Sequence, residues 1–148
     1  MHPFDLRSAI MGKHAQHVVL IHFPIGLFMI AVLFDFIAQA TGKAAISWAA
    51  YYNFLAAAIS APIALVTGIL AWQLQLAGHR LHGILLLHLA LGTLSALLIC
   101  LVWWLHSQRA PSGRALAPFR LALELGAVGV VALTAHLGGF LSGVNLPG

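Results

Sequence analysis

The residues best equipped for chemistry in this chain are its histidines, nine of them against only three acids. Imidazole is the commonest neutral metal ligand and also ligates haem iron. His22, His88 and His136 lie within strongly apolar stretches, where an ionisable side chain marks a functional-site hypothesis. Each has small residues on its own helical face: Gly26 after His22, Gly92 and Ser95 after His88, and Gly129, Ala132 and Gly139 around His136. Small neighbours let helices approach closely, and they also leave room for a flat macrocycle. The leading expectation is a b-type haem held by two of these three imidazoles. A copper or zinc ion gathered by several histidines comes next, with His17, His79 and His82 as further metal candidates. A chlorophyll-type magnesium on one histidine, or no cofactor at all, stays open. No carboxylate accompanies the histidines, which argues against a hard-cation site among them.

The elements that must position these residues are membrane spans. The chain is 61% hydrophobic and 7% charged, with a mean hydropathy of +0.98. A soluble domain carries about 25% charged residues, so this composition belongs in a bilayer. A spanning helix needs about 20 mostly apolar residues. Four segments meet that length, at about 18–40, 46–76, 83–106 and 119–141. They are too long and too continuously apolar for the alternating strands of a barrel. The expected fold is all-α: a four-helix transmembrane bundle, one integral membrane domain over residues 1–148, with both termini on the same side. Pro62 should kink the second span. The first dozen residues lack the apolar core of a cleavable signal peptide. Trp48, Tyr51, Tyr52, Trp103 and Trp104 fall near one face and Trp72 near the other, as aromatic belts do.

Antiparallel spans set the depth of each histidine. Let face A carry the termini and face B the opposite loops. At 1.5 Å per residue, His22, His88 and His136 fall at similar depth near face A, with His14, His17, His79 and His82 close by and His106 alone on face B. Arg7, Lys13 and Arg80 belong to face A; Lys43, Arg109, Arg114 and Arg120 belong to face B. The positive-inside rule then favours face B as cytoplasmic and the termini outside.

The acids inside the spans, Asp35 and Glu124, both lie toward face B, with Arg120 one turn before Glu124. Buried membrane charges pair, so Asp35, Arg120 and Glu124 are expected to form a structural ion-pair layer tying the first span to the fourth. The functional alternative is a proton pathway from face B. The basic residues are scattered over loops with no stripe, so the net charge of +4 gives no nucleic-acid reading. Cys100 is the single cysteine and reads as a packing residue.

The stretches IHFPIGLF, TGILAW and AHLGGFLSGVN resemble a family of small bacterial four-span membrane proteins catalogued as a domain of unknown function. Its motifs correspond to His22, Phe23, Pro24 and Ile25, and to His136, Leu137, Gly138 and Gly139. The resemblance covers nearly the whole chain. It implies a redox setting on the extracytoplasmic side of the bacterial inner membrane, because relatives occur with Rieske-type and cytochrome c modules. The expected function is a haem-b or metal-binding electron-transfer subunit without independent catalytic activity. Its partners would be lipid, other membrane subunits or an extracytoplasmic redox protein. The rival is a cofactor-free structural subunit of a respiratory or photosynthetic complex.

Overall fold

A computed structural model describes residues 15–75, 80–108 and 118–142. It contains four helices: α1 (Ala15–Thr41), α2 (Ala44–Gln75), α3 (Gly83–Ser107) and α4 (Pro118–Leu141). No strand occurs among the described residues. All four helices are long and apolar enough to cross a bilayer, and each boundary falls within a turn of the expected one. Helix α1 stops at Gly42, whose φ of +67° is a left-handed conformation that a side chain would strain. Its N–H donates back to the Ala38 carbonyl at 2.7 Å, the usual glycine stop for a helix. Lys43 then starts α2, its carbonyl accepting from the Ile46 and Ser47 amides. Helices α1 and α2 continue through Pro24 and Pro62 respectively, so neither proline ends its span.

Sequential helices pack against one another along their lengths, and α1 touches α4 less than any sequential pair touches. The inward faces repeat in alternating steps of three and four. On α1 the buried series is Pro24, Phe28, Ala31, Asp35 and Ala38; on α2 it is Ala50, Phe54, Ala57, Ala61 and Ala64. Helix α3 buries Ser95, Ile99 and Val102, and α4 buries Arg120, Glu124, Ala127 and Val131. This mean step of 3.5 is the period at which helices stay in contact along a left-handed supercoil.

Most buried apolar positions are alanine, whereas Val19, Phe23, Leu33, Ile59, Val66, Leu97 and Leu125 point outward. Water would drive those large side chains inward, but lipid tails are as apolar as leucine. Side-chain size therefore decides what goes inside, because small residues let backbones approach. The large exceptions are Phe28 and Phe54, fully buried and packed edge to face at 5.7 Å. They pack the seam between α1 and α2. Toward face B, Trp48 stacks on Tyr52 and meets Tyr51 edge-on at the start of α2, in the manner of an interfacial belt.

Ala57 is fully buried and Leu97 faces outward. Ala57→Leu is expected to destabilise the bundle by about 1–3 kcal/mol through overpacking, and Leu97→Ala by much less. Thermal unfolding of both variants in one detergent checks the order.

Candidate functional site

The alanine-lined seams open toward face A into a cavity of about 730 Å³ walled by all four helices. Two histidines line it, His17 from α1 and His88 from α3. Both are half-buried. Each ring lies against a glycine of the neighbouring helix. A Cβ added to Gly68 of α2 would come within 2.9 Å of His17 Cε1, and one added to Gly138 of α4 within 3.2 Å of His88 Cε1. Glycine is what allows the rings to lie there.

Hydrogen bonds through Nδ1 orient both rings. The Thr67 hydroxyl donates its single proton to the Ala64 carbonyl at 2.9 Å. With its proton there, Thr67 Oγ1 is the acceptor for a hydrogen on His17 Nδ1, 3.1 Å away. His88 Nδ1 donates to the Thr134 carbonyl at 3.1 Å, which can only accept. A neutral imidazole with its hydrogen on Nδ1 keeps a lone pair on Nε2. Histidine ligands of metals are held in this same way, through a second ring nitrogen bonded to a carbonyl or other acceptor.

The other histidines are placed differently. His22 is exposed and turns Nδ1 onto the Val18 carbonyl of its own helix at 2.6 Å. His136 is exposed and meets Phe140 edge-on at 4.9 Å. Of the expected trio only His88 faces the cavity. His82 is exposed in extended backbone just before α3. His79, like His14 and Lys13, lies outside the described residues.

At the opposite end Asp35, Arg120 and Glu124 are all buried. The structure brings His106 to them. His106 Nε2 donates to Glu124 Oε1 at 2.8 Å, and one ligand atom each from Asp35, His106 and Glu124 lie within 4.8 Å of one another. Gln39 donates to Asp35 Oδ2 at 2.5 Å. Phe54 stacks on the His106 ring with centroids 4.5 Å apart. Depth alone leaves His106 isolated on face B. The missed signal was helical phase: His88 and His106 are 18 positions apart, five turns of about 3.6 residues, and so share one face. His17 and Asp35 are related in the same way.

The family model described as "Predicted membrane protein (DUF2231)" matches residues 13–144, and the chain belongs to that family. No curated protein and no solved structure matches the chain.

The two cavity histidines differ in what holds them, a side-chain hydroxyl for His17 and a backbone carbonyl for His88. Thr67→Val is therefore expected to release the His17 tautomer and leave that of His88 unchanged. Ring ¹⁵N chemical shifts of selectively labelled histidines read both in one sample.

Proposed function

We propose that this member of the DUF2231 family is a small integral-membrane electron-transfer subunit whose cavity holds haem b between His17 and His88. The observation that carries the reading is that two imidazoles on different helices, each tied through Nδ1 to the neighbouring helix, line one cavity. The volume of about 730 Å³ lies within the range of about 300–1,000 Å³ typical of cofactor pockets. The walls are apolar apart from these histidines and a few hydroxyls, including Ser95 and Thr134, as suits a macrocycle with polar groups only at its edge. Arg80 is exposed near the same end and offers a cation to carboxylate substituents. Bound haem supplies one-electron chemistry at its iron. The chain supplies ligation, orientation and exclusion of water.

In this reading the protein sits in a bacterial cytoplasmic membrane with face A outward. The cavity then meets an extracytoplasmic redox protein or a neighbouring subunit of a larger complex. One observation favours a second reading, a cofactor-free structural subunit. His88 bonds Thr134 and His106 bonds Glu124, so both tie α3 to α4 as packing bonds would.

Visible spectra of gently purified protein, oxidised and dithionite-reduced, separate the two. The expected result is a Soret band with sharp reduced α and β bands. His17→Ala and His88→Ala should each abolish or alter that spectrum, whereas His22→Ala and His136→Ala should retain it. Wild-type protein that takes up no haem when supplied with it, or unchanged spectra in the His17 and His88 variants, would overturn the reading.

A further inference from the structure

We propose that Asp35, His106 and Glu124 form a binding site for one divalent first-row transition-metal ion at the face-B end of the bundle. The site is independent of the cavity. His106 lies about 27 Å along α3 from His88 at ~1.5 Å per residue.

The donors come from three helices and combine one imidazole nitrogen with two carboxylates. At metal–ligand bonds of about 2.1 Å, two ligands across an ion sit ~4.2 Å apart and adjacent ones ~3 Å. His106 Nε2 and Glu124 Oε1 are already 2.8 Å apart. With all three donor atoms within 4.8 Å of one another, closure needs movement of only about half an ångström beyond that ~4.2 Å limit. The neighbours hold the donors in place: Gln39 orients the Asp35 carboxylate, and Phe54 fixes the plane of the His106 ring. Supporting contacts of this kind orient metal ligands.

A second observation points to a ligand. Glu124 is 1% exposed, and its Oε2 has no hydrogen-bond partner among the described residues. A dry carboxylate oxygen left without a partner is costly, and such atoms call for an explanation. An ion bound by Glu124 supplies one.

Charge and donor type narrow the ion. Two carboxylates bring two negative charges, which a divalent ion neutralises. On binding, the ring hydrogen moves off Nε2 by exchange with water and Nδ1 carries the hydrogen, so that the neutral imidazole presents its Nε2 lone pair to the metal. Arg120 is buried on the same helix one turn from Glu124 and is the competing positive charge. The imidazole favours manganese, iron or zinc over calcium, which takes 6–8 oxygens.

The test uses the full chain in detergent after chelator treatment, titrated with Mn²⁺ while electron paramagnetic resonance follows the free ion. Zn²⁺ is then added as a competitor. One saturable site per chain that zinc displaces is expected. Asp35→Asn, Glu124→Gln and His106→Asn should each weaken it more than about tenfold. His17→Ala and His88→Ala should leave it unchanged, which separates this site from the haem reading. No saturable binding by the wild type, or full binding in Glu124→Gln, would refute the site. Should the substituted chains fail to fold, pulsed resonance on the wild-type manganese complex decides. Nitrogen coupling from one imidazole supports the site, and its absence overturns it.

Discussion

Apolar side chains in a bilayer gain nothing by leaving lipid for a protein interior. That constraint governs the whole bundle. What holds helices together instead is close approach, and close approach requires small side chains. The inward seams therefore carry mostly alanine, while most of the large aliphatic side chains, and every leucine of the described residues, stay out of the fully buried core. The pattern is the reverse of the one water imposes, and every later feature is a local departure from it.

Toward face B the departure is polar. Phe28 of α1 packs on Phe54 of α2, Phe54 stacks on His106 of α3, and His106 bonds Glu124 of α4. One continuous chain of contacts thus joins all four helices. It matters because α1 and α4 touch each other less than sequential helices do. Buried charge without partners is expensive in this setting, and Asp35, His106, Arg120 and Glu124 share the cost by clustering.

Toward face A the same seams end in glycine, threonine and histidine, and packing gives way to space. Thr67, Gly68, His88, Thr134 and Gly138 are in contact with a cavity histidine or are one. A small residue can serve either helix approach or room for an occupant. At Gly68 and Gly138 the space is taken by an imidazole from the adjoining helix. The two ends thus hold different chemistry, imidazoles around a hollow at one and a compact cluster of ionisable groups at the other. The packed aromatic core separates them.

Much of this was legible without coordinates. Four spans, their boundaries, the gathering of histidines near face A and of acids near face B all follow from run length and the rise of a helix. Those quantities depend only on position along the chain. Facing is different. In a soluble helix the polar side reveals the outward face, but here both sides are apolar and depth says nothing about rotation. His22 and His88 share a depth yet point differently. His106 was legible as a face-B residue but not as the partner of Glu124. The step of three and four that joins His17 to Asp35 and His88 to His106 was present in the sequence, but so were other rows of small residues. Only the mutual packing of four helices decided which row turned inward, because that choice rests on how neighbouring backbones fit together.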